Sequence, residues 1–154
     1  MIAVVQRVLR AEVSVAADSY NASIGPGLCV LLGVERGDTE LDSVWMAGKL
    51  ARLRIFRDDE GKMNRSVQDE GGSILVVSQF TLAGDCSKGN RPSFVDAADP
   101  AIGRSLYESV CGMLETEHGL SVTMGVFGAM MEVSLVNDGP VTLIVKSPVK
   151  KNEL

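Results

Sequence analysis

The sequence contains a single histidine, a single tryptophan, only three cysteines, and no apolar run long enough to cross a membrane. Each shortage removes a class of chemistry. His118 sits beside Gly119, a helix-stop signal, where an imidazolium suits the dipole and faces solvent. A Ser-His-Asp or Cys-His engine is therefore not expected, and neither is a histidine-rich metal site. Cys29, Cys86 and Cys111 are odd in number, widely spaced and without a C-x-x-C pair, so no disulfide framework or zinc site is indicated. Cys29 and Cys111 lie in apolar patterns and read as core, whereas Cys86 in "GDCSKGN" reads as exposed. There is no G-x-x-x-x-G-K-[ST] loop, and the glycines do not fit G-x-G-x-x-G after a strand. No cofactor and no metal are expected.

A membrane span needs roughly 18 apolar residues, and the opening "MIAVVQRVLR" lacks the basic start, apolar block and cleavage site of a signal peptide. The expectation is a cytoplasmic protein with no membrane partner. The closing "KNEL" looks like a retrieval tag, but it has no meaning outside the secretory path and is read as polar tail. The net charge of −5 argues against a surface that grips nucleic acid everywhere, and DNA is not an expected partner. Lys49, Arg52, Arg54, Arg57, Lys62 and Arg65 do gather in one stretch, interrupted by Asp58, Asp59 and Glu60. Charge alone reads this stretch as a solvated, salt-paired face.

What is present describes one domain. A chain of 154 residues with 45% hydrophobic content buries roughly 70% of its extended surface. Residues 2–15 alternate as a long strand, with Ala3, Val5, Arg7, Leu9, Ala11, Val13 and Val15 on one face. Arg7 is the only charge on that face, so it either snorkels at an edge or clamps carbonyls or carboxylates. "LCVLLGV" reads as a buried strand after a Gly25-Pro26-Gly27 turn. Thr39 to Asp42 forms a capping-box variant opening a helix to about Leu53, with Leu41, Val44, Trp45 and Gly48 on one stripe.

"RIFRDDEGKMN" predicts a strand, a turn ending in Gly61 and a returning segment, and "SILVVSQFTL" predicts the strongest strand. The loop 83–98 is long, which is common for functional loops. Asp99, Pro100 and Gly119 bracket a second helix with Leu106, Val110, Met113 and Leu114 inward. Two further strands, near 131–137 and 141–146, flank "VNDGPVT", where Asp138-Gly139 suits a hairpin turn and Pro140 removes a ladder donor. The expected fold is α+β, a single domain with a mixed or antiparallel, barrel-like sheet and two main helices.

With no histidine base close in sequence, "SQFTL" (Ser78 to Leu82) and "NDGPVT" (Asn137 to Thr142) remain as candidate chemistry. Ordinary strand-end hydrogen bonding accounts for such hydroxyls and amides in most proteins. A site here has to rely on backbone groups and placed donors. Together with "MIAVVQRV", "GKMN" and "RPSF", however, these two motifs make the chain resemble the D-aminoacyl-tRNA deacylase family from Met1 to about Val145.

The resemblance implies a homodimeric enzyme with its active site at the subunit interface. It would hydrolyse the ester of D-aminoacyl-tRNA, and of glycyl-tRNA mischarged on tRNA for alanine, as chiral proofreading in translation. It assigns the catalytic positions to Ser78, Gln79, Phe80 and Thr81, with the N–H groups near Phe80 and Thr81 as oxyanion donors. Chiral selection falls to a cis Gly139-Pro140 peptide that enters the partner's site, braced across the dimer by Arg7. Phe127 and Met131 correspond to positions near the terminal adenine, and Arg91 is a candidate phosphate contact. Thr81 is not expected to act as nucleophile, because no base activates it. The domain is assigned to 1–147 and a polar tail to 148–154. The rival expectation is a non-catalytic dimeric module that binds the tRNA acceptor end.

Overall fold

The computed structural model describes residues 1–148. The chain runs β1 (Ile2–Val15), β2 (Tyr20–Ile24), β3 (Gly27–Gly33), α1 (Glu40–Arg52), β4 (Phe56–Arg57), β5 (Met63–Arg65), β6 (Ser73–Ser78), α2 (Pro100–Thr116), β7 (Ser121–Met124) and β8 (Glu132–Lys146). Two 3₁₀ turns, Ala16–Asp18 and Phe80–Ala83, punctuate it. Lys151 to Leu154, and with them the retrieval-like ending, lie outside the described residues.

β1 organises the sheet. One of its edges pairs antiparallel with β3 over Ile2–Val8 and with β2 over Ala11–Val15, and the other edge carries β8. β6 joins β3 in parallel, and β7 joins β6 in parallel, so the sheet is mixed. Parallel neighbours need crossovers, and α1 with the β4–β5 hairpin supplies the first while α2 supplies the second. The sheet curls until the Tyr20 hydroxyl of β2 donates to the Met124 carbonyl of β7 at 2.7 Å, which makes it barrel-like.

Strand alternation divides the interior in two. Leu28, Val30, Leu32, Ile74 and Val76 face α1 and α2, while Cys29, Leu75 and Val77 pack inside the curl with Val8, Ala11 and Val13. Burial pushes the Cys29 thiol up to about 11 and the Cys111 thiol up to about 12, so both stay protonated at neutral pH as packing groups. Asp42 closes the capping box of α1 by accepting the Thr39 N–H at 2.8 Å.

Several expectations are corrected. α1 buries Ser43, Met46, Ala47, Leu50 and Ala51, whereas Leu41 is 74% and Val44 49% exposed, because α2 packs one residue further round the helix. Ser43 Oγ donates to the Leu106 carbonyl at that contact. Leu9 points outward, because the β1–β8 register shifts on both sides of Val8. β6 stops at Ser78, so Phe80 to Leu82 stand on a 3₁₀ turn and not on the strand. Asp138-Gly139 makes no hairpin: β8 is one strand whose two halves both pair antiparallel with β1. β2 and β7 went unforeseen, being short and weakly alternating.

Gly27 marks the closest approach within the sheet, since a Cβ there would sit 1.8 Å from the Ser73 carbonyl oxygen. Gly27→Ala is expected to lower unfolding stability by about 3 kcal/mol, as β3 and β6 are forced apart. Urea unfolding of the two proteins side by side measures it.

Candidate active site

β6 ends where its ladder ends. The Gln79 N–H makes the last bond, to the Leu32 carbonyl at 2.8 Å, and the chain then enters the turn Phe80–Ala83. Gly33 leaves room for this exit, because a Cβ there would lie 2.8 Å from the Gln79 carbonyl oxygen. Within the turn, Leu82 N–H bonds the Gln79 carbonyl and Gly84 N–H bonds the Thr81 carbonyl. The two leading N–H groups, those of Phe80 and Thr81, have no acceptor inside the turn, as at the start of any helical segment. Phe80 is 59% exposed and meets Phe94 edge-on, with centroids 5.3 Å apart.

A cavity of about 530 Å³ opens at this turn. Ser78, Gln79 and Phe80 form one wall, Pro100 and Gly103 of α2 another, and the segment from Phe127 to Met131 a third. That volume is in the usual range for small-ligand sites. None of the lining side chains is an acid or a base. Thr81 lies just beyond the lining, and its hydroxyl is engaged by the Gln79 side-chain amide. An amide is no general base whichever way it is turned, so nothing activates this hydroxyl. His118 lines a separate cleft with Gln68 and Ser121.

The second candidate group forms a corner in β8. Val8 faces Asn137 and Gln6 faces Thr142, so β8 spends extra residues there and loops outward. Asn137 ties the loop's base: its Oδ1 accepts the Val141 N–H at 2.7 Å and its Nδ2 donates to the Val141 carbonyl at 3.0 Å. Gly139-Pro140, at the tip, is cis and exposed.

Arg7 lies beneath this corner, 1% exposed, so clamp and not snorkel describes it. Its Nε donates to the Asp138 carbonyl at 2.9 Å and lies 3.4 Å from the Asp138 carboxylate, while Nη1 donates to the Ile55 carbonyl at 2.7 Å. Within the chain, Arg7 thus holds the base of the corner at Asp138. Nη2 is buried without a partner, as is Gln6 Oε1 next to it in β1.

The structure therefore sorts the expected residues into two places. Ser78, Gln79, Phe80, Phe127 and Met131 share the cavity, and Arg7, Gly139 and Pro140 share the corner. The only β8 residue on the cavity wall is Val133, six residues before Gly139. Arg91 is exposed on a loop closed by mutual bonds between Asp85 and Ser93, and it touches neither place. The basic stretch is partly self-paired, with Arg65 on Glu70 at 2.6 Å and Arg54 on Asn64. Pro100, Gly103 and Met130 were missed. The "DP" start of α2 signalled the helix, but not that its first turn faces a cavity.

The chain has clear relatives. The family model for D-Tyr-tRNA(Tyr) deacylase matches residues 4–146. The D-aminoacyl-tRNA deacylase of Myxococcus xanthus is 57% identical over 148 residues, covering 96% of this chain and 95% of the relative. That of Chlorobaculum parvum is 54% identical over 147 residues, covering 96% and 98%. The solved structure of a c-Myc DNA unwinding element binding protein superposes with a TM-score of 0.88 at 42% identity, covering 97% of this chain and all of that one. A probable eukaryotic D-amino acid tRNA deacylase shares the fold at 19% identity with a TM-score of 0.78. The class these relatives define is that of hydrolases acting on aminoacyl-tRNA. The chain belongs to the D-aminoacyl-tRNA deacylase family.

Gly139 has φ 151°, and a Cβ there would lie 2.7 Å from Val141 Cγ2 and 2.8 Å from the Val141 nitrogen. Gly139→Ala is expected to cost about 1–3 kcal/mol, a fall in Tm of roughly 2–4 °C for each kcal/mol. Thermal melts followed by circular dichroism report it, and an unchanged Tm means the corner has more room than this geometry allows.

Proposed function

We propose that the chain hydrolyses the ester between a D-amino acid and the 3′ end of tRNA, releasing free amino acid and tRNA, and that it likewise clears glycyl-tRNA mischarged on tRNA for alanine. The observation that carries this reading is a cavity whose wall includes the start of the 3₁₀ turn, at Phe80, and no acidic or basic side chain. An aminoacyl ester is activated already, so the site needs only to place it and to stabilise the oxyanion. Water adds to the carbonyl carbon, the N–H groups of Phe80 and Thr81 receive the developing charge, and the acyl–oxygen bond breaks. The ribose 2′-hydroxyl relays the proton to the departing 3′-oxygen.

Handedness is sorted by main chain. The partner subunit's Gly139 carbonyl receives the α-ammonium, and inverting the centre turns the side chain into the Gly-Pro backbone. An L side chain collides there, which excludes it, whereas glycine has no side chain to refuse. This arrangement takes a homodimer, since within one chain none of residues 137–141 lines the cavity.

Three observations favour such a pairing. Among the described residues the outer edge of β8 is unpaired in the sheet; Leu143 and Ile144 on it are 38% and 68% exposed; and Arg7 Nη2, buried without a partner, lies 3.4 Å from where a Cβ on Gly139 would be.

Purified protein incubated with matched D- and L-aminoacyl-tRNA is expected to release the D amino acid at least about 100-fold faster than buffer while leaving the L form intact. Release no faster than in buffer selects instead the non-catalytic module that holds the acceptor end. Thr81→Ala should keep activity within about threefold, whereas a loss of about a thousandfold would make its hydroxyl the nucleophile. Ile144→Glu should sediment as a monomer and lose D-ester hydrolysis. A fully active monomer would sink the shared site.

A further inference from the structure

The rim of the cavity carries a cation that none of these steps uses. Arg104, on the first turns of α2, places its guanidinium 5.3 Å from the ring centroid of Phe127, a wall residue. The helix is built for this contact. Gly103, also a wall residue, packs on the Phe127 ring, and a Cβ there would touch Cζ at 3.4 Å, an ordinary van der Waals contact. Tyr107, three residues on and so on the same helix face, holds the ring from a second side with centroids 5.8 Å apart. Phe127 is therefore held between Tyr107 and a guanidinium, and it is Arg104 that is left outermost.

Arg104 itself is exposed and enters no ion pair or hydrogen bond among the described residues. Glu108, one turn further along α2, is the acid nearest in helical spacing, and no ion pair joins the two. A guanidinium that stacks by its face keeps its N–H edge free, and that edge matches two phosphate oxygens. A cavity that admits an aminoacylated nucleoside brings the adjoining phosphodiester to its rim.

Resting on the reading above, we propose that Arg104 is a positioning residue that holds the phosphodiester next to the terminal aminoacyl nucleoside of tRNA. It contacts backbone and not base, so it is indifferent to tRNA identity.

The test compares Arg104→Gln with the unaltered protein on two substrates that share one ester: D-aminoacyl-tRNA, and a D-aminoacyl-adenosine with no phosphate. With tRNA, kcat/KM should fall about tenfold through KM, with kcat unchanged. The slope of log(kcat/KM) against log salt should become shallower by about 0.7, the value for one phosphate on a single strand. With the adenosine ester, the two proteins should be equal, and their Tm values should agree. Arg104→Lys should recover part of the loss with tRNA, since it restores charge without the planar stack. An equal loss on both substrates would make Arg104 a support for Phe127 only, and no loss on either would remove it from the site. If the unaltered protein cleaves neither ester, the hydrolase reading itself has failed.

Discussion

A guanidinium out of reach of water has to be answered by acceptors, and in this fold that requirement decides where β8 leaves the sheet. Arg7 lies at the middle of the longest pairing in the molecule, where its Nε and Nη1 take the carbonyls of Asp138 and Ile55. Removing either acceptor would leave a buried charge several kcal/mol short. The corner of β8 is held at its base by Asn137 and from beneath by Arg7, and its tip is left to Gly139 and Pro140. The clamp also links β8 to the segment after α1, so the corner's position is referenced to the main core.

The cavity follows a different logic. Its polar side chains are a serine and a glutamine, set in an apolar wall beside a 3₁₀ turn. Such a site suits a substrate that is already reactive, where placement and charge stabilisation are enough. The corner and the cavity both rely on main chain, which is why so few titratable residues appear at either. Within one chain they share no residue. Among the described residues the outer edge of β8 is unpaired, and Leu143 and Ile144 along it are exposed.

Much of this was legible in the residues. The alternation of β1 and the apolar run of β3 marked their strands, and the Thr39–Asp42 box and the Asp99-Pro100 start marked both helices. Arg7 stood out because a charge on an apolar face has to be resolved somewhere. The failures are equally physical. Of the stripe Leu41, Val44, Trp45 and Gly48, Trp45 packs against the core and Gly48 is buried, but Leu41 and Val44 face outward, because spacing says that a face exists and not how far its neighbour covers it. "NDG" has hairpin chemistry, yet local turn preference yielded to two long-range ladders with the same strand β1. β7 is four residues long, and only its parallel pairing with β6 makes it a strand.

By itself the sequence determined the inventory: a chain with one histidine, no clustered metal ligands, two separate polar motifs and one arginine that could not stay unpaired. Those are properties of composition and local spacing, and no fold changes them. Only the tertiary structure decided that Ser78 to Phe80 share a cavity with α2 and Phe127, that the Gly139 corner rests on Arg7 outside that cavity's lining, and that Arg104 stacks on Phe127. Each of those depends on residues far apart in the chain being brought together, and local periodicity carries no information about distance across a fold.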